Sequence, residues 1–382
     1  MTSHLLRFGE AAFEIGDSGI DREPLGERYF ALLRAFVADT HATCAFHRDR
    51  LDRAGIDAGV VESFDHFARI PFLGPAEVNA VPDVFLLPEA LSLRDGLTRL
   101  PEEDRIARKF LTSSSTGVPK GAYYTRSDWM AATCFGSRLT EPDELPRFAR
   151  LLNCFHAGHV AGKLFEDIFA RQGCFVENNH HTNTSTEALL RQLSLGLAAM
   201  GGFNAIALPP WRPAQVAGHK GTTLDVLLNE DVDNLIGDRI ETLVTGGAPF
   251  SPDHRIKDRT WEANELAGKP HARFLHTYGS AEVGIAAASC RHDGDGLHLL
   301  QGAIYTEIID EHTGEHVESG EAGLVVFTGL KHGSRFLRYI VGDQATFIAE
   351  ACACGRSSPR IRDIERVLEK ERLLAGCAAG GY

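Results

Sequence analysis

The chain has 382 residues, 43% of them hydrophobic, enough to bury one large or two ordinary domains. A net charge of −13 and a pI near 5.7 argue against nucleic acid or an anionic membrane surface as the main partner. Eight irregularly spaced cysteines make no disulfide framework, no apolar run reaches membrane-spanning length, and MTSHLLRFGEAAFEIGDSG lacks the features of a secretory signal, so a soluble cytoplasmic protein is expected.

In chain order, Arg28 to Phe46 places apolar residues at three- and four-residue intervals, which predicts a helix in an N-terminal helical part spanning 1–105. From Arg150 the texture alternates. The short apolar runs Leu151–Phe155, Cys174–Val176, Ala205–Leu208 and Glu241–Val244 are separated by helix-length amphipathic stretches, the rhythm of a parallel sheet with crossover helices. This predicts an α/β core over 106–301. From Gly302 the pattern becomes a meander, with strands at Ala303–Ile309 and Gly323–Thr328 around a turn-rich Asp310–Gly320, giving a β-rich part over 302–365 and a short tail over 366–382.

Four segments carry chemistry. LTSSSTGVPKGAY offers the hydroxyls of Thr112, Ser113, Ser114, Ser115 and Thr116, a close backbone approach at Gly117 and a point charge at Lys120, a composition suited to a polyphosphate. It is not a Walker A loop, and alone such a cluster is as often a surface loop. TGGAPFSPD places Gly246, Gly247 and Ala248 after a buried strand, bare backbone at the edge where open α/β sheets bind ligands, although a plain strand-to-helix turn has the same look. FLHTYGSAEVG ends a strand in Tyr278, Gly279, Ser280 and Glu282, an aromatic face for a purine and a hard oxygen donor for Mg²⁺. RYIVGD ends a strand in a Gly-Asp turn whose Asp343 carboxylate suits two ribose hydroxyls.

Taken in this order, TSSSTGVPKG, GGAPFS, YGSAE and RYIVGD resemble the adenylate-forming superfamily of acyl-CoA ligases and adenylation domains, over about Ala107 to Arg360. The resemblance implies a large N-terminal adenylate-forming domain with stacked mixed sheets flanked by helices and a small β-rich subdomain. It implies ATP phosphates along Thr112–Lys120, adenine on Tyr278, Mg²⁺ at Glu282 and ribose at Asp343, with Arg366 near the nucleotide. Lys120 and Glu282 become the expected catalytic groups. Asn153–Lys163 falls where the family has its acyl pocket, so Phe155, His156 and His159 are expected substrate contacts, although a loop histidine is more often a satisfied surface group.

The stretch from Ser289 to Arg360 is similar to the phenylacetate–CoA ligase branch, and there the resemblance implies a structural Zn²⁺. Cys290, His298, Cys352 and Cys354 supply three thiolates and an imidazole, with His292 the alternative fourth ligand. The bland reading is that the three cysteines are merely buried small hydrophobes.

Two departures stand out. Ser114 occupies a position where the family has glycine. Glu365-Arg366 stands where a Gly-Arg-x-x-Asp hinge is expected, and the sequence stops before the C-terminal mobile domain with its adenylating lysine, a part Lys370 cannot be assumed to play. The layout is thus similar to acyl-protein synthetases and phenazine-pathway adenylation proteins. The expected function is ATP-dependent activation of a carboxylic acid, aryl acids favoured, and transfer to an acyl-acceptor protein (a reductase or carrier protein) in secondary metabolism such as antibiotic biosynthesis. An aryl- or arylacetate-CoA ligase is the alternative, and a catalytically silent nucleotide-binding scaffold the second. Cys154, beside the expected acyl pocket, is a minor candidate for accepting the acyl group itself. A homodimer is left open; neither nucleic acid nor membrane is an expected partner.

Overall fold

The computed structural model describes residues 27–91, 100–112, 119–137, 149–156, 158–179, 202–209, 240–246, 273–290, 296–300, 302–356 and 358–367. The expected N-terminal helix is broken into α1 (Glu27–Thr43) and α2 (Ala45–Arg53), because Cys44 between them takes extended backbone angles. Tyr29, Leu33, Phe36 and Val37 of α1 are buried with Leu51 of α2 against Tyr305 and Leu337. Two short helices follow, α3 (Phe64–Phe67), capped by the Ser63 hydroxyl, and α4 (Pro75–Ala80), where Glu77 accepts the Gly74 N–H at 3.0 Å.

Strands β1 (Ile106–Leu111) and β2 (Gly121–Thr125) form an antiparallel ladder, with Leu111 opposite Gly121. The hydroxyl-rich run lies between these paired strands in sequence, and Thr112 and Lys120 at its ends are among the described residues. Helices α5 (Arg126–Ser137) and α6 (Val160–Arg171) pack on each other, with the Ile168 side chain seated over Gly136, where an added Cβ would lie 2.1 Å from Ile168 Cδ1 and force that side chain to shift.

The large sheet comprises β3 (Arg150–Asn153), β4 (Phe175–Asn178), β5 (Ala205–Ala207), β6 (Thr242–Gly246), β7 (Arg273–Ser280), β8 (Gly284–Ala288), β9 (Leu297–Leu299), β10 (Ile304–Ile309), β11 (Ala322–Gly329), β12 (Tyr339–Ile348) and β13 (Arg360–Arg366). Its order is β10-β11-β12-β13-β9-β8-β7-β6-β5-β3-β4, eleven strands among the described residues. β4, β3, β5, β6 and β7 run parallel, as the alternating texture predicts, and the remainder is antiparallel. The mixed α/β class agrees with expectation. The meander and the parallel core share one sheet in place of separate stacked sheets among these residues, because β8 and β9 pair onward from β7 to β13.

One local expectation is corrected. The Gly-Asp pair of RYIVGD does not end a strand. It lies inside β12, where the register against β11 slips between Leu324 and Val326 and Gly342 takes φ of +87°. The extra residues form a bulge, which glycine tolerates and which re-aims the next side chain, Asp343. No helix among the described residues is long and apolar enough to cross a membrane.

Candidate active site

The β7–β8 hairpin and the β12–β13 ladder bring the key residues of two of the four motifs together, with Arg366 beside them. Tyr278, on β7, is buried and its phenol donates to Asp343 Oδ2 at 2.8 Å. Asp343 faces Arg366 across the β12–β13 register, and the guanidinium donates to Oδ1 at 2.8 Å. Burial pushes the Asp343 pKa up, against the pull of Arg366 and the Tyr278 hydrogen bond. Gly279 has a steric reason to be glycine: a Cβ there would lie 2.0 Å from the Gly284 carbonyl across the hairpin.

Glu282 sits in the turn linking β7 to β8, and burial raises its pKa. Its Oε1 accepts from the Tyr339 hydroxyl at 3.4 Å. A half-buried carboxylate that is costly to ionise suits a hard divalent cation, whose charge would offset the desolvation, so the residue fits the Mg²⁺ role. Behind the turn, the Tyr124 hydroxyl donates to the Ala281 carbonyl at 2.8 Å and the Lys331 ammonium donates to the Glu282 carbonyl. Burial lowers the Lys331 pKa to about 8, although Asp128 and Glu282 pull it upward.

In the phosphate motif, the hairpin ends are pinned: Thr112 N–H donates to the Lys120 carbonyl at 2.8 Å and Lys120 N–H to Thr112 Oγ1 at 3.0 Å. The Lys120 side chain is buried and its ammonium donates to the Val81 carbonyl at 2.8 Å. Ser113, Ser114, Ser115, Thr116 and Gly117 lie outside the described residues, as do Gly247 and Ala248. Gly246 ends β6, and a Cβ there would meet Thr277 Oγ1 at 2.3 Å.

The expected acyl-pocket residues are occupied structurally. Phe155 is 3% exposed and packs on Phe165 at 4.9 Å between ring centroids. His159 caps α6, its Nδ1 accepting the Ala161 N–H at 3.2 Å, and burial lowers its pKa. His156 is exposed and accepts the Gly158 N–H at 3.0 Å. Cys154 is buried at the end of β3, its N–H bonded to the Ala207 carbonyl.

The thiol and imidazole set converges. The ligand atoms of Cys290, His298, Cys352 and Cys354 all lie within 4.8 Å of one another. Cys290 Sγ is 3.7 Å from Cys352 Sγ, which compares with about 3.8 Å for the edge of a tetrahedron with Zn–S bonds of about 2.3 Å. Cys354 Sγ lies 3.4 Å from His298 Nε2. His298 Nδ1 faces the Ser358 carbonyl at 3.2 Å and hydroxyl at 3.0 Å. A carbonyl can only accept, so Nδ1 carries the proton and Nε2 keeps its lone pair for a metal. Burial, with Arg356 adding to it, lowers the His298 pKa to about 4, which keeps the ring neutral. Burial first, then the Cys352 and Cys290 sulfurs, push the Cys354 thiol up to about 12. A divalent cation would reverse that penalty, and the set fits zinc. His292 lies outside the described residues.

Sequence reasoning missed Tyr124, Tyr339 and Lys331. The signal for Lys331 was a lysine closing the apolar run GLVVFTGL, where a solvated surface strand is not expected.

A family model described as AMP-binding enzyme matches residues 71–332. The phenylacetate-coenzyme A ligase of Thermus thermophilus is 25% identical over 357 residues, which cover 90% of this chain and 71% of that protein. Among solved structures, a 2-hydroxyisobutyryl-CoA ligase in complex with 2-HIB-AMP and CoA in the thioesterification state has a TM-score of 0.70 at 20% identity, covering 91% of this chain and 70% of that chain. The same ligase in an open conformation has a TM-score of 0.68 at 18% identity, covering 90% and 75%. At those identities the structures share the fold.

Proposed function

The chain belongs to the AMP-binding enzyme family and is an adenylate-forming ligase, and on that premise we propose how its residues join a carboxylate to the α-phosphorus of ATP, with pyrophosphate leaving. The observation that carries the proposal is the hydrogen-bonded group Tyr278–Asp343–Arg366 beside Glu282, assembled from residues far apart in the chain. Tyr278 takes the adenine, and Asp343 with Arg366 takes the ribose. The hairpin Thr112–Lys120, with Ser113, Ser114, Ser115, Thr116 and Gly117, takes the phosphates, and Lys120 neutralises them once its ammonium leaves the Val81 carbonyl. Gly246, Gly247 and Ala248 leave backbone room between nucleotide and acid. Glu282 would hold Mg²⁺, which supplies charge neutralisation on the phosphates when bound. Alignment and neutralisation account for most of the catalytic effect in such transfers. Cys290, His298, Cys352 and Cys354 would hold a structural Zn²⁺ that pins the meander to the core.

The acid is an aryl or arylacetic acid held near Phe155, His156 and His159, and the acceptor is the thiol of coenzyme A. The likeness to the Thermus phenylacetate-coenzyme A ligase supports both. A second reading, in which a partner reductase or carrier protein of secondary metabolism accepts the acyl group, is favoured by one sequence observation: Glu365-Arg366 replaces the hinge pair, and Arg366 is engaged by Asp343.

Pyrophosphate release with a panel of aryl and arylacetic acids, with and without coenzyme A, tests both, with products followed by mass spectrometry. Rapid accumulation of acyl-CoA supports the first reading. An adenylate that persists in the presence of coenzyme A supports the second. Absence of pyrophosphate release with every acid tried would overturn the proposed substrate class.

A further inference from the structure

We propose that Tyr124 and Lys331 are positioning residues for Glu282, gripping from behind the turn that carries it; this rests on the reading of Glu282 as the metal-binding acid. A carboxylate on a three-residue turn has no rigid element of its own. Here two of the three turn carbonyls are held: Ala281 by the Tyr124 hydroxyl at 2.8 Å, and Glu282 by the Lys331 ammonium. The two gripping groups brace each other, because Lys331 Nζ lies 3.8 Å over the Tyr124 ring. The ring is itself fully buried, edge-on to Trp129 at 5.6 Å and Phe110 at 6.0 Å.

The Lys331 loop is fixed in turn. Asp128 accepts the His332 N–H at 2.7 Å and the Gly333 N–H at 2.8 Å, and also the Thr125 N–H at 2.9 Å beside Tyr124. One carboxylate at the start of α5 thus ties the two anchors to a common frame. On the solute side, the Tyr339 hydroxyl steadies Oε1. Tyr124 also belongs to β2, the strand leaving the phosphate hairpin, so the grip sets the acid relative to the phosphate-binding ends at Thr112 and Lys120. A misplacement of about 1 Å in such a site costs on the order of a hundredfold in rate, so the position of Glu282 needs this support.

The test uses the full chain with ATP and Mn²⁺ as the metal probe. Electron paramagnetic resonance titration measures Mn²⁺ affinity, and mass spectrometry measures amide hydrogen exchange over Ala281–Gly284. Tyr124→Phe keeps the ring and removes one oxygen, while Lys331→Met keeps the stem and removes the charge. Each should weaken Mn²⁺ binding by about tenfold and accelerate exchange in the turn, the expected consequence of losing one charge-assisted or buried hydrogen bond. The KM for the acid should stay unchanged. If Lys331→Met does not purify folded, Tyr124→Phe alone decides. Mn²⁺ binding unchanged in the variants but lost in Glu282→Gln would overturn the inference and leave the Glu282 assignment standing. Wild-type Mn²⁺ affinity in Glu282→Gln would overturn that assignment and the inference with it.

Discussion

The phenol of Tyr278 donates to Asp343 Oδ2 at 2.8 Å, joining two motifs that lie on different strands of one sheet. The contact sets the spacing between the ring proposed for a purine and the carboxylate proposed for a ribose.

Asp343→Asn should raise the KM for ATP by about tenfold with little change in the KM for the acid, since it weakens charge-assisted hydrogen bonding at the proposed ribose site. Steady-state pyrophosphate release at varied ATP and varied acid checks the split. An equal rise in both constants would place Asp343 elsewhere in the mechanism.

Purified protein should contain one zinc per chain, with X-ray absorption giving Zn–S distances of about 2.3 Å. Cys352→Ser should lose the metal and lower the thermal midpoint, because the site ties the segment after β8 to the segment before β13. Metal-free protein with an unchanged midpoint in the variant would refute the site.

Arg338→Met should destabilise the fold by about 3–5 kcal/mol, the usual consequence of stranding one partner of a buried ion pair. Glu307 has a fully buried side chain 2.9 Å from the Arg338 guanidinium. Burial, the largest influence, would raise its pKa, and Arg338 together with His316 holds it below the ordinary range. Urea unfolding measures the loss, and the double variant Arg338→Met with Glu307→Leu should recover much of it.

Stability should fall on acidification below about pH 6.5. Burial, aided by Arg50, lowers the His47 pKa to about 3, and burial does the same at His276. Between those values and the ordinary 6.5 the unfolded chain binds protons that the folded chain refuses, so acid favours unfolding, by about 2 kcal/mol per histidine at pH 5. Glu282 and Asp343, with pKa values raised by burial, act in the opposite sense. Urea midpoints at pH 7.5 and pH 5 give the difference, and His276→Gln should remove that residue's share of it, about 2 kcal/mol. A wild-type profile that is flat over this range would contradict the assignment.

Sequence alone determined a good deal of this protein. Local patterns are sufficient where one periodicity decides the outcome: the apolar runs at Leu151, Ala205 and Thr242 became parallel strands, and the runs at Ile304 and Ala322 became the antiparallel meander. Motif order was sufficient for the family, because Thr112–Lys120, Tyr278–Glu282 and Asp343 follow one another at a spacing that chance rarely supplies. The convergence of Cys290, His298, Cys352 and Cys354 was also legible, since few structural demands place such ligands together. Tertiary structure decided the rest. The break at Cys44, the bulge at Gly342 and the cap at His159 depend on what each segment meets, and local propensity carries no record of it. The grip of Tyr124 and Lys331 on the Glu282 turn depends on backbone carbonyls. Every residue has a carbonyl, so no side-chain pattern in the sequence marks the ones that will be bound.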